Sequence, residues 1–291
     1  MKRMLPRRSL LLSSGALLSW LAVGAPAASV NSRKLALVIG NARYDAAPLR
    51  NPKNDARLVA RSLKAVDFEV AVHEDLALEP MRLAAAHWLA SAGSADVRFF
   101  YFAGHGAQFR GRNFMLPVNA EIEREDDVLH QGFDIATLTD RLSRMTQGVN
   151  IIVLDACRDS PYPLTRRLGP NRTRSVTGSV EPGLTPTVPA YGTLVAFSTA
   201  PGAMALDGKD GNSAYAKHLA AQLLVPGQHI EAMFKRVRLA VARETANRQV
   251  PWESSSLVGE FCVRPDGKGG CSTPPSGSTA VDLGQVTSGS R

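Results

Sequence analysis

Two mostly apolar runs, each leading to a reactive side chain, constrain the fold of this chain more than any other feature. Residues 97–104 are rich in aromatic side chains and lead to His105, which lies between two glycines. Residues 149–156 are rich in β-branched side chains and lead to Cys157, 52 positions after the histidine. Short apolar runs of this kind are typical of buried strands. We therefore expect two buried strands, each with a reactive side chain at its carboxyl end.

Segments with strand and helix periodicity alternate along most of the chain. Strands are predicted at residues 35–39, 69–72, 97–103, 149–155 and 193–197, with a short extended piece at 114–118 and an edge strand at 256–261. Helices are predicted at residues 52–63, 79–92, 134–145, 214–224 and 230–248. The alternation favours an α/β fold in which a mostly parallel sheet carries helices on both faces. In the second helix, Leu83, Ala86, His87 and Ala90 define the expected buried face.

The chemistry follows from where parallel strands end. Their carboxyl ends meet at one edge of the sheet, where open α/β proteins bind ligands, so His105 and Cys157 are expected at the same edge. A histidine can accept a proton and a thiol can release one, which is the pairing that activates a cysteine nucleophile. The residues alone thus predict a cysteine hydrolase.

The first 27 residues have the features of a signal peptide. A basic start that includes Arg7-Arg8 precedes an apolar stretch at 10–23, and small residues follow it. We expect cleavage after Ala27, with Ala28 as the alternative, and an exported protein that is periplasmic or secreted. The adjacent arginines also fit a twin-arginine signal. An uncleaved anchor is less favoured, because serines and a glycine interrupt an apolar stretch that is short for a membrane span.

The net charge of +8 gives little support for an anionic partner. Four of the basic residues lie in the signal segment, and 30 basic against 26 acidic residues remain outside it, a net charge of +4. Lysines and arginines do not cluster with interleaved aromatic residues, so we expect no nucleic-acid binding. After signal cleavage no further segment is predicted to cross a membrane. The sequence carries no indication of oligomeric state.

The three cysteines divide into a pair and a single residue. Cys262 and Cys271 are nine positions apart with three glycines between them, which fits a disulfide that closes a small loop in an oxidising compartment. Cys157 is then the one free thiol. Alternatively, all three cysteines are free and Cys157 is a small buried apolar residue.

Two regions depart from the alternating pattern. Residues 159–191 hold six prolines beside many glycines, serines and threonines, which is unusual inside a compact domain and is typical of functional or disordered loops. The loop also carries Arg166, Arg167, Arg172 and Arg174. Residues 264–291 are rich in Gly, Ser, Thr and Pro, and we expect a flexible tail there.

The motifs around the two reactive residues resemble the signatures of the caspase and metacaspase superfamily. Residues 101–106 read Tyr-Phe-Ala-Gly-His-Gly and residues 154–159 read Leu-Asp-Ala-Cys-Arg-Asp, in the family's order and spacing. The Asn-Asp-Ala segment at 54–56 and the segment at 250–257 are similar to parts of bacterial members. The resemblance covers residues 33–263. It implies a three-layer sandwich with a mostly parallel sheet of about six strands between helices, and a cysteine-type endopeptidase.

The resemblance also implies roles for the matching residues. Cys157 is the nucleophile, and His105 is the general acid and base that serves the thiol and the leaving amine. The backbone N–H groups of Gly106 and Cys157 form the oxyanion hole. A third residue that orients the histidine is not evident in the sequence.

Two aspartates match the metacaspase positions that line a pocket for a basic side chain. These are Asp55 and Asp155, and their charges predict cleavage after Arg or Lys rather than after Asp. Alternatively, Asp55 is a helix N-terminal residue stabilised by the helix dipole, and Asp155 is a buried acid bonded to the backbone. Asp159 replaces the glycine that caspases have after their Cys-Arg pair, and it has no counterpart in the family pattern.

A preference for arginine gives the basic loop a further meaning. Arg166, Arg167, Arg172 and Arg174 become candidate self-cleavage sites, although a solvated linker with incidental arginines is an equal alternative. We expect no metal site and no cofactor. Calcium activation, which many metacaspases show, stays open but has no supporting motif, and residues 207–212 favour a Gly/Asp turn over a calcium loop.

Three functions are consistent with these features. The first is an exported endopeptidase that acts on peptide or protein substrates. The second is a catalytically weak caspase-like module that acts by binding a partner protein, which the departure at Asp159 favours. The third is hydrolysis of a small-molecule amide or thioester on the same dyad. Reactivity of the Cys157 thiol separates the first two.

Overall fold

The computed structural model describes residues 32–124, 126–145, 147–157, 189, 191–200, 207–208 and 211–271, with Cys157 described by its backbone alone. Several sequence predictions lie outside these residues. They are the signal peptide at 1–27, Asp159, most of the 159–191 loop with Arg166, Arg167, Arg172 and Arg174, and most of the tail.

Eight strands and six helices alternate through the described residues. In chain order they are β1 (Lys34–Gly40), α1 (Pro52–Lys64), β2 (Phe68–Glu74), α2 (Leu78–Ala92), β3 (Val97–Phe109), β4 (Arg112–Met115), α3 (Asp127–Gln131), β5 (Phe133–Asp134), α4 (Ala136–Ser143), β6 (Val149–Cys157), β7 (Thr193–Phe197), α5 (Ala214–Leu223), α6 (Ile230–Glu244) and β8 (Trp252–Ser255).

Six of the strands form the main sheet, in the order β2-β1-β3-β6-β7-β8. The first five are parallel, and β8 runs antiparallel to β7. The predicted fold class, a mostly parallel six-stranded sheet, is therefore confirmed.

Helices cover both faces of this sheet. Helices α1, α5 and α6 pack on one face against alternate strand residues such as Phe99 and Tyr101. Helices α2 and α4 pack on the other face against Phe100 and Phe102. Because both faces are covered, the central strands are apolar at most positions on both sides, which is why they form nearly continuous apolar runs in the sequence.

Strand β3 extends beyond its predicted end and changes partners at His105. Up to His105 it pairs in parallel with β6, and from Gly106 to Phe109 it pairs with β4 in an antiparallel hairpin. β4 in turn pairs with β5. The histidine thus lies where the chain leaves the main sheet.

The predicted buried face of the second helix was wrong. Met81, Ala84, Ala85, Trp88 and Ala92 are buried, whereas Leu83 is 58% exposed. Ala86, His87 and Ala90 are exposed as well. The helix itself carries alanines on several of its sides, so its sequence is consistent with more than one apolar stripe. The stripe that contains Met81 and Trp88 packs against the sheet.

The final edge strand was also predicted in the wrong place. β8 lies at Trp252–Ser255 instead of 256–261, and Val258 is 74% exposed. Ser255 pairs with Leu194, and the Ser256 N–H donates to the Thr193 carbonyl. Since β7 begins at Thr193, the residues after Ser256 have no strand left to pair with.

Two further observations concern the cysteine pair and the length of the helices. Cys262 and Cys271 are joined by a disulfide, with their Cα atoms 5.6 Å apart. Among the residues described here, no helix has the length and apolar character needed to cross a membrane.

Candidate active site

The strand register brings the two reactive residues together. His105 on β3 and Cys157 on β6 are Cα partners in neighbouring parallel strands, at the carboxyl edge of the main sheet. Adjacent strands lie about 4.8 Å apart. Residues 52 positions apart in the sequence are therefore next to each other in the fold.

A backbone carbonyl holds the imidazole of His105. Its Nε2 lies 2.7 Å from the Ala47 carbonyl oxygen, in the connection between β1 and α1. A carbonyl can only accept a hydrogen bond, so Nε2 carries the proton and Nδ1 is left as an acceptor. Nδ1 is buried and has no hydrogen-bond partner within the described part of the chain.

The surroundings of His105 favour its neutral form. Burial lowers the pKa of the imidazole, and the Ala47 carbonyl and the Asp207 carboxylate oppose this only in part. A neutral ring with Nε2 protonated can accept a proton at Nδ1. The ring is thus prepared to act as a base near neutral pH.

Tyr44 fixes the backbone on which His105 is mounted. Its hydroxyl accepts the His105 N–H at 2.9 Å and donates to the Leu116 carbonyl at 3.1 Å. The two rings are in contact, with centroids 4.4 Å apart. Gly104 leaves room for the phenol, because a Cβ there would lie 2.5 Å from the Tyr44 hydroxyl oxygen.

Two buried carboxyl groups lie beside the histidine strand and converge on Ser213. Asp55, in the first turn of α1, is 2% exposed, and Asp155, on β6, is 8% exposed. The Ser213 N–H donates to Asp55 Oδ1 at 2.9 Å, and the Ser213 hydroxyl donates to Asp155 Oδ2 at 3.0 Å. Asn212 Nδ2 and the Tyr101 hydroxyl complete the set, donating to Asp55 and Asp155 respectively.

Burial and mutual repulsion make both carboxyl groups hard to ionise. Burial and then the charge of Asp155 raise the pKa of Asp55 to about 7, although Asn212 and Ser213 stabilise its charged form. Burial likewise raises the pKa of Asp155. A cation placed between the two groups would favour ionisation of both.

A third carboxylate, Asp207, lies at the amino end of α1. Its Oδ2 accepts the Arg50 N–H at 2.8 Å and its Oδ1 accepts the Asn51 N–H at 3.2 Å. Asp207 is only partly buried. Its charge opposes ionisation of Asp155 and favours the protonated form of His105.

Sequence reasoning missed several of these contributors, for different reasons. Ala47 acts through its backbone carbonyl, which no side-chain motif can reveal. Ser213 immediately precedes the helix predicted at 214–224, and it is the N-cap of that helix, since its hydroxyl accepts the Ala216 N–H. A capping role by itself does not indicate contacts to two carboxyl groups. Asp207 was assigned to an ordinary turn. Tyr44 carried no signal because its partner His105 is distant in sequence.

One further predicted site residue, Gly106, immediately follows His105 and lies opposite Met115 in the β3–β4 pair.

No group of three or more metal-ligating side chains occurs within the described ranges.

The fold and this site define a class of protein. A mostly parallel sheet between two helical layers, with a histidine and a cysteine at neighbouring strand ends, is the arrangement implied by the family resemblance. A family model described as the caspase domain matches residues 33–262. The chain belongs to the caspase-domain family of peptidases. The family resemblance indicated by its histidine and cysteine motifs is therefore confirmed.

A human protein and its mouse homologue are similar to part of this chain. Human mucosa-associated lymphoid tissue lymphoma translocation protein 1 is 32% identical over 127 residues, which cover 43% of this chain and 15% of that protein. Its mouse homologue is 31% identical over 127 residues, with the same coverage. The matched segment is thus a small part of each relative.

Proposed function

We propose that this chain is a cysteine endopeptidase that cleaves peptide bonds after Arg or Lys. One observation carries the proposal: Asp55 and Asp155 converge on Ser213 at the sheet edge where His105 and Cys157 are strand neighbours. Membership of the caspase-domain family supports cysteine peptidase chemistry. The paired carboxyl groups support the preference for a basic side chain.

In the proposed reaction, Nδ1 of His105 takes the proton of the Cys157 thiol. The Ala47 carbonyl keeps the Nε2 proton in place, so the ring enters the reaction in one tautomer. The thiolate sulfur forms a bond to the scissile carbonyl carbon, and the resulting oxyanion accepts hydrogen bonds from the N–H groups of Gly106 and Cys157. Collapse breaks the C–N bond, and the proton held on His105 passes to the leaving amine. His105 then takes a proton from water, and the water oxygen bonds to the carbonyl carbon of the thioester. Cleavage of the C–S bond releases the product as a carboxylic acid, which ionises in solution, and the proton on His105 returns to the Cys157 sulfur.

The pocket selects by charge. A guanidinium or ammonium group entering between Asp55 and Asp155 pairs with two carboxylates that repel each other in its absence. An aspartate side chain would add a third negative charge to the same space. The partly buried Asp207 extends the negative region toward solvent.

Peptide cleavage tests both parts of the proposal. Purified protein is assayed with fluorogenic peptides ending in Arg, Lys or Asp, with and without calcium. We expect cleavage after Arg and Lys, and none by Cys157→Ala. Asp55→Asn should lower kcat/KM for the Arg peptide by about 10- to 100-fold. Asp140→Asn, at an exposed carboxylate on α4, is the matched control and should leave kcat/KM unchanged. Cleavage after Asp would overturn the pocket assignment and keep the dyad.

Thiol alkylation separates a peptidase from a module that only binds partners. We expect iodoacetamide to modify Cys157 much faster than free cysteine near neutral pH, and His105→Ala to remove that advantage. Slow alkylation together with no cleavage of any peptide would overturn the catalytic assignment.

Two further parts of the proposal concern the segments outside the described residues. We propose that residues 1–27 direct export, so N-terminal sequencing of the protein from the periplasm or medium should begin at Ala28. We also propose self-cleavage at one or more of Arg166, Arg167, Arg172 and Arg174. Mass spectrometry should then find fragments ending at these arginines in the active protein and intact chain in Cys157→Ala.

A further inference from the structure

A cavity of about 650 Å³ lies on the sheet face opposite α1, between α2, α4 and the β4–β5 pair. Its lining includes none of the residues of the candidate active site. The volume falls within the range of about 300–1,000 Å³ that small-molecule sites occupy. The cavity is therefore large enough for an organic ligand of its own.

The inner surface of this cavity is apolar. Ala85 and Leu89 of α2 form one wall, Phe114 and Phe133 form the floor, and Met145 lies beyond the end of α4. Phe114 and Phe133 belong to the core, so this surface is firmly supported. A ligand with an aromatic or aliphatic body would lose water-exposed apolar area on entering.

The rim of the cavity is strongly basic. Four of the lining residues are arginines and one is an aspartate, and they come from α2, β4, β5, α4 and the residues after α4: Arg82, Arg112, Asp134, Arg141 and Arg144. Arg112 of β4 forms an ion pair with Asp134, and Arg82 of α2 forms one with Glu79. Neither of the remaining two has an ion-pair partner within the described residues.

Local helix stability explains only part of this cluster. Arg141 and Arg144 lie at the carboxyl end of α4, where positive charge favours the helix dipole. Arg82 lies near the amino end of α2 and Arg112 lies on a strand, so the dipole accounts for neither. Arg82 and Arg112 already have acidic partners, so Arg141 and Arg144 are the two positive charges beside this apolar cavity that can pair with an anionic ligand.

We propose that this cavity binds a small organic anion, with an apolar or aromatic body on the floor and a carboxylate, sulfonate or phosphate head at the rim. Arg141 and Arg144 hold the head, since Arg82 and Arg112 already have acidic partners. The site is independent of the proposed peptidase activity.

Calorimetric titration of the full chain tests the proposal with a charged and a neutral probe of one shape. We expect 2-naphthoate to bind at least about 10-fold more tightly than 2-naphthamide, because only the naphthoate offers a charge to the arginines. The double variant Arg141→Gln/Arg144→Gln should weaken naphthoate binding by about 10-fold or more. Ala90→Trp, at an exposed position of the lining, should abolish binding by filling the cavity while leaving its charges in place.

The matched control is Arg236→Gln/Arg243→Gln, which removes the same charge from exposed positions of α6 on the opposite sheet face. Its affinity for naphthoate should equal that of the unmodified protein. The proposal is overturned if naphthoate does not bind, if naphthamide binds equally well, or if Ala90→Trp retains binding. Equal weakening by the two double variants would also overturn it, because that result indicates attraction by net charge alone.

Discussion

Replacing Ser213 by alanine tests the arrangement on which the candidate pocket depends. The Ser213 hydroxyl donates to Asp155 Oδ2 at 3.0 Å and accepts the Ala216 N–H at 3.0 Å, and the residue is buried. The substitution therefore removes a helix cap and one partner of a buried carboxyl group in a single step. The Ser213 N–H that donates to Asp55 is unchanged.

The expected cost follows from these two losses. Loss of an N-cap hydroxyl costs about 1 kcal/mol. Asp155 keeps the Tyr101 hydroxyl as a donor, and losing one of the hydrogen bonds to this buried carboxyl group costs about 1–3 kcal/mol. The free energy of unfolding should fall by roughly 2–4 kcal/mol in all. For a domain of this size each kcal/mol lowers Tm by roughly 2–4 °C, so a decrease of roughly 4–16 °C is expected.

Thermal unfolding followed by near-UV circular dichroism at pH 7 measures the change. Ser213→Thr retains a hydroxyl and should recover at least half of the lost Tm. Ser143→Ala removes an exposed hydroxyl that donates only to the Asp140 carbonyl, and it should change the free energy of unfolding by less than about 0.5 kcal/mol. A Tm for Ser213→Ala within 2 °C of the unmodified protein would refute the reasoning, because neither the cap nor the contact to Asp155 would then contribute.

Three further predictions concern stability. Asp55 has a pKa of about 7 in the folded state against an ordinary value of 3.8. The folded state therefore binds this proton more tightly than the unfolded state does. The contribution of Asp55 to the free energy of unfolding then declines as the pH rises from 3.8 to about 7. Urea unfolding at pH 5 and pH 8 measures this decline in the free energy of unfolding, which should be smaller in Asp55→Asn than in the unmodified protein. An equal decline in the two proteins would contradict the assignment to Asp55. Tyr44→Phe removes the acceptor of the buried His105 N–H and should lower the free energy of unfolding by about 1–3 kcal/mol in the same assay; no change would mean that the hydroxyl does not hold this strand. Replacing both Cys262 and Cys271 by serine should cost about 2–3 kcal/mol under oxidising conditions, since the bridge closes a short loop, and reducing agent should abolish the difference from the unmodified protein.

The strands of the main sheet were predictable because burial on both faces leaves a simple pattern. Four of the five parallel strands were found from apolar runs, and the predicted bounds of β7 match those observed. β2 was also found, although its predicted extent was shorter than Phe68–Glu74. The pattern failed where burial is one-sided: α2 offered more than one apolar stripe, and β8 was assigned to the residues that follow it.

The motifs also predicted which residues would meet at the sheet edge. His105 and Cys157 are strand partners, and Asp55 and Asp155 share Ser213. Each of these residues lies within a short motif that the family resemblance could match. The roles assigned to them remain predictions for the experiments above.

What the sequence by itself determined is therefore the set of elements and the identity of the reactive side chains, because strand burial and short motifs are local along the chain. The tertiary structure alone decided how those side chains are held. The Ala47 carbonyl orients His105, Tyr44 supports its backbone, and Ser213 joins two carboxyl groups from different elements. These contacts link residues 58 to 61 positions apart or act through backbone atoms common to every residue, so no local pattern records them. Hydrogen bonds depend on where atoms meet in space, and only the folded chain specifies that.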